Sequence, residues 1–261
     1  MSGPDDDLWR RLAALTPARI GLGRAGAGLP TREVLKFGLA HAQARDAVHT
    51  PMDAAAVAAA IEELGLSTVA VTSAAEDRAT YLRRPDRGRR LSPESRKALD
   101  AAAEAPVDLA LVVADGLSAR AVHEGAAAML AAFKPHADKA GWRLAPVVVA
   151  TQARVALGDE AGQALKARAV AVLIGERPGL SSPDSLGLYV TFDPRPGRSD
   201  AERNCISNVR PAGLSHDLAA FKLGWLLTQA FARGLTGVGL KDESDQLIEA
   251  AETPESLAPP V

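Results

Sequence analysis

The chain has 261 residues, 30 of them basic and 32 acidic, and its formal net charge of −2 supplies no global field to recruit nucleic acid or an anionic membrane. This length suits one large domain or two small ones, and either buries a core of useful size. A single cysteine, Cys205, excludes an internal disulfide and a cysteine-rich metal site, and it fits a reducing compartment.

In chain order, the opening Met-Ser-Gly-Pro-Asp-Asp-Asp is acidic and lacks the charged-then-apolar order of a secretory signal. No apolar run reaches the roughly 18 residues that a membrane span needs, so the sequence reads as soluble and intracellular. Asp5 to Leu15 carries Leu8, Leu12 and Leu15 at helical spacing. Gly21-Leu-Gly23-Arg-Ala-Gly26 matches a dinucleotide-binding string. Only Leu15-Thr-Pro-Ala-Arg-Ile20 leads into it and Pro30 follows it, so it reads as a flexible connector.

Thr31 is expected as the N-cap of a helix running toward Val48, with Val34, Leu35 and Leu39 on one face, and Thr50-Pro51 stops it. Asp53 to Leu64 predicts a short alanine-rich helix closed by Gly65. Ser67 to Thr72 predicts a short extended piece, and Glu76 to Arg84 a helix ended by Pro85. The run Arg83-Arg84-Pro-Asp-Arg87-Gly-Arg89-Arg90 packs five arginines into eight residues and reads as a solvated or partner-facing loop.

From Pro106 the pattern changes. Val107 to Ala114 is an apolar run of strand length that stops at Asp115-Gly116, and Ser118 then caps a helix to about Phe133. Pro146 to Ala150 and Ala169 to Gly175 repeat the strand signal, with a helix from about Asp159 to Lys166 between them. Nearly continuous apolar strands alternating with helices predict an α/β fold: an N-terminal helical segment, residues 1–100, followed by a mostly parallel, doubly wound, Rossmann-like sheet domain, residues 101–261. Leu186 to Phe192 is a fourth strand, expected antiparallel or at an edge because so few residues precede it. Ser215 to Gly234 is a last amphipathic helix, and the tail after Glu252, with three prolines, is expected to fray.

Three polar turns stand out. Asp115-Gly116, Thr151-Gln-Ala-Arg154-Val155 and Glu176-Arg-Pro-Gly179 end successive strands, so a parallel sheet brings them to one carboxyl edge, where such folds accept ligands. Gly116-Leu-Ser118 resembles half a nucleophile elbow without its second glycine, and an N-cap role suits Ser118 better. The histidines, His41, His49, His123, His136 and His216, show no zinc-type spacing, and no metal held directly by protein ligands is expected.

Five longer strings, in order, resemble the small subunit of ethanolamine ammonia-lyase: Ala18 to Thr31, Ala40 to Pro51, Ala114 to His123, Ile174-Gly-Glu-Arg-Pro-Gly-Leu180 and Arg203-Asn-Cys-Ile-Ser-Asn208. The resemblance implies the lighter chain of an adenosylcobalamin-dependent lyase that converts ethanolamine to acetaldehyde and ammonia. It implies a corrinoid between this chain and a large subunit that binds the ethanolamine. Cofactor contacts then fall on Val155, Glu176 and Cys205, residues 1–100 meet the large subunit, and no catalytic residue lies in this chain. The D-x-H-x-x-G string that replaces the cofactor's own base is missing, which implies a base-on corrinoid. Longer relatives carry an N-terminal extension read as a microcompartment address. Asp5 to Leu15 is a short candidate for one, beside plain cytoplasmic residence. Two rival readings stay open: a stand-alone α/β hydrolase with Ser118 as nucleophile, and a purely structural subunit.

Overall fold

A computed structural model describes residues 4–16 and 18–246. The acidic opening in part, and the tail after Glu252, lie outside the described residues. Six strands form one sheet in the order β1-β3-β2-β4-β5-β6: β1 Thr68–Thr72, β2 Val107–Ala114, β3 Val147–Thr151, β4 Ala167–Gly175, β5 Leu186–Phe192 and β6 Asn204–Val209. The first four are mutually parallel, with Val112 beside Val148 on one flank and Val172 on the other. This is the expected mostly parallel α/β fold.

The described helices are α1 Pro4–Ala13, α2 Thr31–His49, α3 Ala54–Glu62, α4 Arg78–Arg83, α5 Pro93–Ala102, α6 Ala119–Ala140, α7 Leu157–Ala164 and α8 His216–Arg233. Alternation along the strands builds two cores. Leu109, Leu111 and Val113 of β2 face α3, α6 and α8, while Ala110, Val112 and Ala114 face α5 and α7. Burial on both faces explains why β2 reads as a continuous apolar run. The crossovers from β2 to β3 and from β3 to β4 run in opposite directions along the sheet, and right-handed connections place their helices, α6 and α7, on opposite faces. The chain turns back at β2 and again at β3, and the helices leaving these neighbouring strands lie on opposite faces, a switch point of the kind that opens a crevice at the strands' carboxyl ends.

Several local readings shift. The extended piece before Thr72 becomes β1 and pairs with β3 across the whole of its length. Thr31 is the first helical residue of α2. The cap position is Pro30, whose carbonyl accepts from the N–H groups of Glu33 and Val34, so no side-chain cap is needed. Helix α6 continues past Phe133 and Pro135 to Gly141, which closes it at φ +68°. The Phe133 and Trp142 rings stack at 6.4 Å and Ala137 is buried, so packing outweighs the roughly 3 kcal/mol an internal proline costs. Strand β5 is antiparallel to β4 because the ten residues between them are too few for a crossover. Strand β6, whose polar letters hide it in the sequence, forms the far edge, as polar strands do.

One buried ion pair ties β6 to α7. Arg203 Nη1 and Nη2 donate to the two Asp159 carboxylate oxygens at 2.6 and 2.7 Å, Thr191 and the Arg198 carbonyl accept the other two Nη protons, and Nε donates to Asp200 at 3.4 Å. The Arg203 and Asp159 side chains are each 2% exposed. Breaking such a pair leaves a buried charge uncompensated, so Asp159→Asn is expected to lower stability by about 3 kcal/mol. Denaturant unfolding followed by the fluorescence of Trp142 and Trp225 measures it.

Candidate functional site

The three polar turns do share one edge. Gly116 and Leu117 after β2, Arg154 and Val155 after β3, and Glu176 after β4 line a single cavity of about 370 Å³. Ile174, Gly175 and Arg177 extend the wall at the end of β4, and the far walls are Tyr81 from α4 and Tyr189 from β5.

A buried carboxylate shapes this edge. Asp115 accepts from the backbone N–H groups of Gln152 and Ala153, each at 3.0 Å, and from Arg78 Nη1 at 3.1 Å. Burial pushes its carboxyl above the usual range, against the lowering effect of those donors and the Arg78 charge. The bonds hold Gln152 at φ +55°, an uncommon conformation for a residue with a side chain, and so aim Arg154 and Val155 at the cavity. Arg78 also donates to the carbonyls of Gly116 and Val48. The turns after β2 and β4 meet backbone to backbone: Leu117 N–H donates to the Gly175 carbonyl at 2.9 Å. A Cβ on Gly116 would lie 2.2 Å from that oxygen, and a Cβ on Gly175 would lie 2.0 Å from the Ser118 carbonyl. Only glycine fits at either place.

Tyr81 is fully buried and lies between two guanidinium groups, Arg78 at 4.8 Å and Arg154 at 4.4 Å from its ring centre. Its hydroxyl donates to the Ala153 carbonyl. Glu176 is fixed as firmly: one carboxylate oxygen accepts from Ser185 Oγ at 2.5 Å and from Asn208 N–H at 3.3 Å. Three buried polar atoms around this edge have no protein hydrogen-bond partner: Arg154 Nε, Arg78 Nη2 and Gln152 Oε1. Buried groups of this kind are ordinarily met by ordered water, an ion or a bound group.

Cys205 stands opposite Tyr189 across the β5–β6 ladder and is exposed as a residue. Desolvation of the sulfur and the nearby Glu176 charge raise its thiol, outweighing the opposing effect of a hydrogen bond with Tyr189. Tyr189 is raised in turn, chiefly by desolvation. The structure thus places Val155 and Glu176 on one cavity and Cys205 just beyond Tyr189, its aromatic wall. Sequence reasoning missed Tyr81, Arg78 and Tyr189. Nothing local marks them: Tyr81 reaches the edge because β1 joins the sheet, which no run of residues near 81 announces.

Other expected features sort differently. Ser118 is 1% exposed, donates from Oγ to the Pro183 carbonyl at 2.6 Å and accepts from Ala121 N–H. His123 Nε2 accepts from Asp53 N–H, whereas the Ser118 hydroxyl donates to the Pro183 carbonyl. The Gly21 to Gly26 string overlaps a bridge between Ala25 and Gly28 and adjoins no described strand. Among the described residues, no group of three or more His, Cys, Asp or Glu is placed to hold a metal ion, and no helix is long and apolar enough to cross a membrane.

The family model described as "Ethanolamine ammonia-lyase light chain (EutC)" matches residues 6–241. The chain belongs to that family. It is 57% identical over 259 residues to the ethanolamine ammonia-lyase small subunit of Xanthomonas campestris pv. campestris, covering 98% of this chain and 95% of the relative. The small subunit of Rhodopseudomonas palustris is 55% identical over 96% of this chain and 95% of its own length. That of Pseudomonas fluorescens is 53% identical over 97% and 92%. Within an ammonia-lyase light chain, Ser118 is a helix cap. Ser118→Ala is expected to cost about 1 kcal/mol in denaturant unfolding and to leave the turnover of an assembled lyase intact. A hydrolase would lose its activity.

Proposed function

We propose that this chain is the small subunit of an adenosylcobalamin-dependent ethanolamine ammonia-lyase, and that the cavity at the carboxyl edge of its sheet forms half of a corrinoid cleft closed by a large subunit. The observation that carries the reading is the convergence of Val155 and Glu176 on one cavity, with Cys205 beside it. The cavity is far smaller than a corrinoid and open, as one wall of a shared cleft must be.

The residues present fit the group. A corrin offers an apolar face rimmed by neutral amides, and Val155, Leu117 and Ile174 supply aliphatic contact. Glu176, held by Ser185 and Asn208, is a preorganised acceptor for amide N–H groups, and a charge-assisted bond of this type contributes about 1.5 to 3 kcal/mol. Cys205 contributes as a small polarizable contact, its raised thiol staying neutral. With no histidine in a D-x-H-x-x-G setting, we read the corrinoid as base-on. Bound there, adenosylcobalamin supplies the radical that activates ethanolamine, while this chain binds, orients and excludes water. The substrate and its acid and base groups belong to the large subunit.

An exposed apolar face suits contact with that subunit. Helix α2 buries only Ala40 and Ala47, while Leu35 is 68% exposed and Val34, Phe37 and Leu39 lie open beside it. The apolar face of this helix therefore looks outward, because nothing among the described residues covers it, and apolar patches of this kind mark interaction sites. We assign α1, α2 and the Gly21 to Gly28 segment in residues 1–100 to the large subunit, together with the arginine loop, where Arg84 pairs with Asp86 and Arg87 with Glu76. Cytoplasmic residence follows from the same reading, with α1 the element to test for any microcompartment address.

The chain alone is expected to show no lyase activity and to restore it when mixed with the large subunit and adenosylcobalamin. Robust turnover by the isolated chain contradicts the proposal. In the assembled complex Glu176→Ala is expected to weaken corrinoid binding several-fold in a spectroscopic titration. Unchanged affinity favours a purely structural subunit.

A further inference from the structure

The cavity carries a charge that a neutral corrin rim does not use. Arg154 makes no ion pair with any described carboxylate, and its Nε is buried without an acceptor. Its companion across the Tyr81 ring differs: Arg78 is paired with Asp115 at 3.1 Å. Two guanidinium groups therefore lie over one ring, and only Arg78 has a carboxylate partner. Arg177 also lines the cavity, so the formal charges of Asp115 and Glu176 leave one of the three guanidinium charges of Arg78, Arg154 and Arg177 unbalanced, and the cavity side is positive. Leaving a guanidinium half-desolvated and unpaired is costly, so its natural complement is an anion of fixed position.

Arg154 is also held ready. Its stem packs over Gly88, where an added Cβ would sit 3.0 Å from Arg154 Cγ and 2.9 Å from the Tyr81 ring. Its backbone N–H donates to the Gly88 carbonyl at 2.7 Å. The glycine lets tyrosine and arginine stack, and the stack fixes the guanidinium plane at the cavity wall. A rigid planar fork suits phosphate geometry.

Resting on the corrinoid reading above, we propose that Arg154 is the phosphate-binding residue of this cleft and receives the phosphodiester of the nucleotide loop of a base-on cobalamin. That phosphodiester is the one anionic group such a cofactor carries. The amides around the corrin are neutral.

The test compares cyanocobalamin with dicyanocobinamide, which keeps the corrin and most of its amides and lacks the nucleotide loop. Both are titrated by absorbance or equilibrium dialysis into the complex with the large subunit, for the native chain, Arg154→Met and Arg154→Lys. Arg154→Met is expected to weaken cyanocobalamin by about tenfold or more while dicyanocobinamide affinity stays within about twofold. Arg154→Lys keeps the charge without the fork and is expected to lose less. Equal losses for the two corrinoids place Arg154 on a corrin amide and overturn the proposal, and so does no loss. If Arg154→Met fails to assemble, the same comparison on Arg154→Lys decides: loss confined to cyanocobalamin supports the assignment, and equal or absent loss removes it. Should the native complex bind neither corrinoid, the cofactor reading itself fails, an outcome distinct from failure of the Arg154 assignment.

Discussion

The carboxylate of Asp115 is the constraint on which the site depends. It ends β2 at the point where the chain reverses direction across the sheet, and it is 2% exposed. Taking a carboxylate out of water is expensive unless its lone pairs are filled, and here two backbone N–H groups and a guanidinium fill them. The donors come from two different parts of the wall. The N–H groups of Gln152 and Ala153 fix the turn that presents Arg154 and Val155, and Arg78 brings α4 with Tyr81. One acidic side chain thus sets the relative positions of turns far apart in sequence.

Rigidity spreads from there through close backbone contacts. Gly116 and Gly175 touch without side chains, so the turn bearing Glu176 cannot drift from the turn bearing Asp115. On the far side the Arg203–Asp159 pair joins the start of β6, which carries Cys205, to α7, which follows Val155. The three residues assigned to the cofactor are each within a few positions of one of these fastenings. On the proposed reading, a site that accepts a large rigid ligand and a second polypeptide gains from such preorganisation, because little further ordering is needed on binding.

Much of this was legible in the residues because period and punctuation are local. The runs at Val107 to Ala114 and Leu186 to Phe192 become strands with those bounds, and Ser118 acts as the cap its type suggests, whereas the helix expected to close at Gly65 ends at Glu62 with Glu63 as its cap. Parallel order then follows from alternation with helices, and the shared edge of Asp115, Val155 and Glu176 follows from parallel order. What the sequence hid is non-local. Tyr81 and Tyr189 look like ordinary core residues until β1 and β5 take their places in the sheet. The outward apolar face of α2 shows the same limit: spacing identifies a face, but only the presence or absence of a neighbour says which way it looks.

The central claim is that the carboxyl edge of this sheet is half of a corrinoid cleft whose other half is the large subunit. A cryo-electron microscopy structure of the two subunits with cobalamin tests it directly. The account predicts the corrin within van der Waals reach of Val155 and Glu176, with the large subunit over its other face. Corrin density remote from that edge, or a partner seated away from it, would contradict the account.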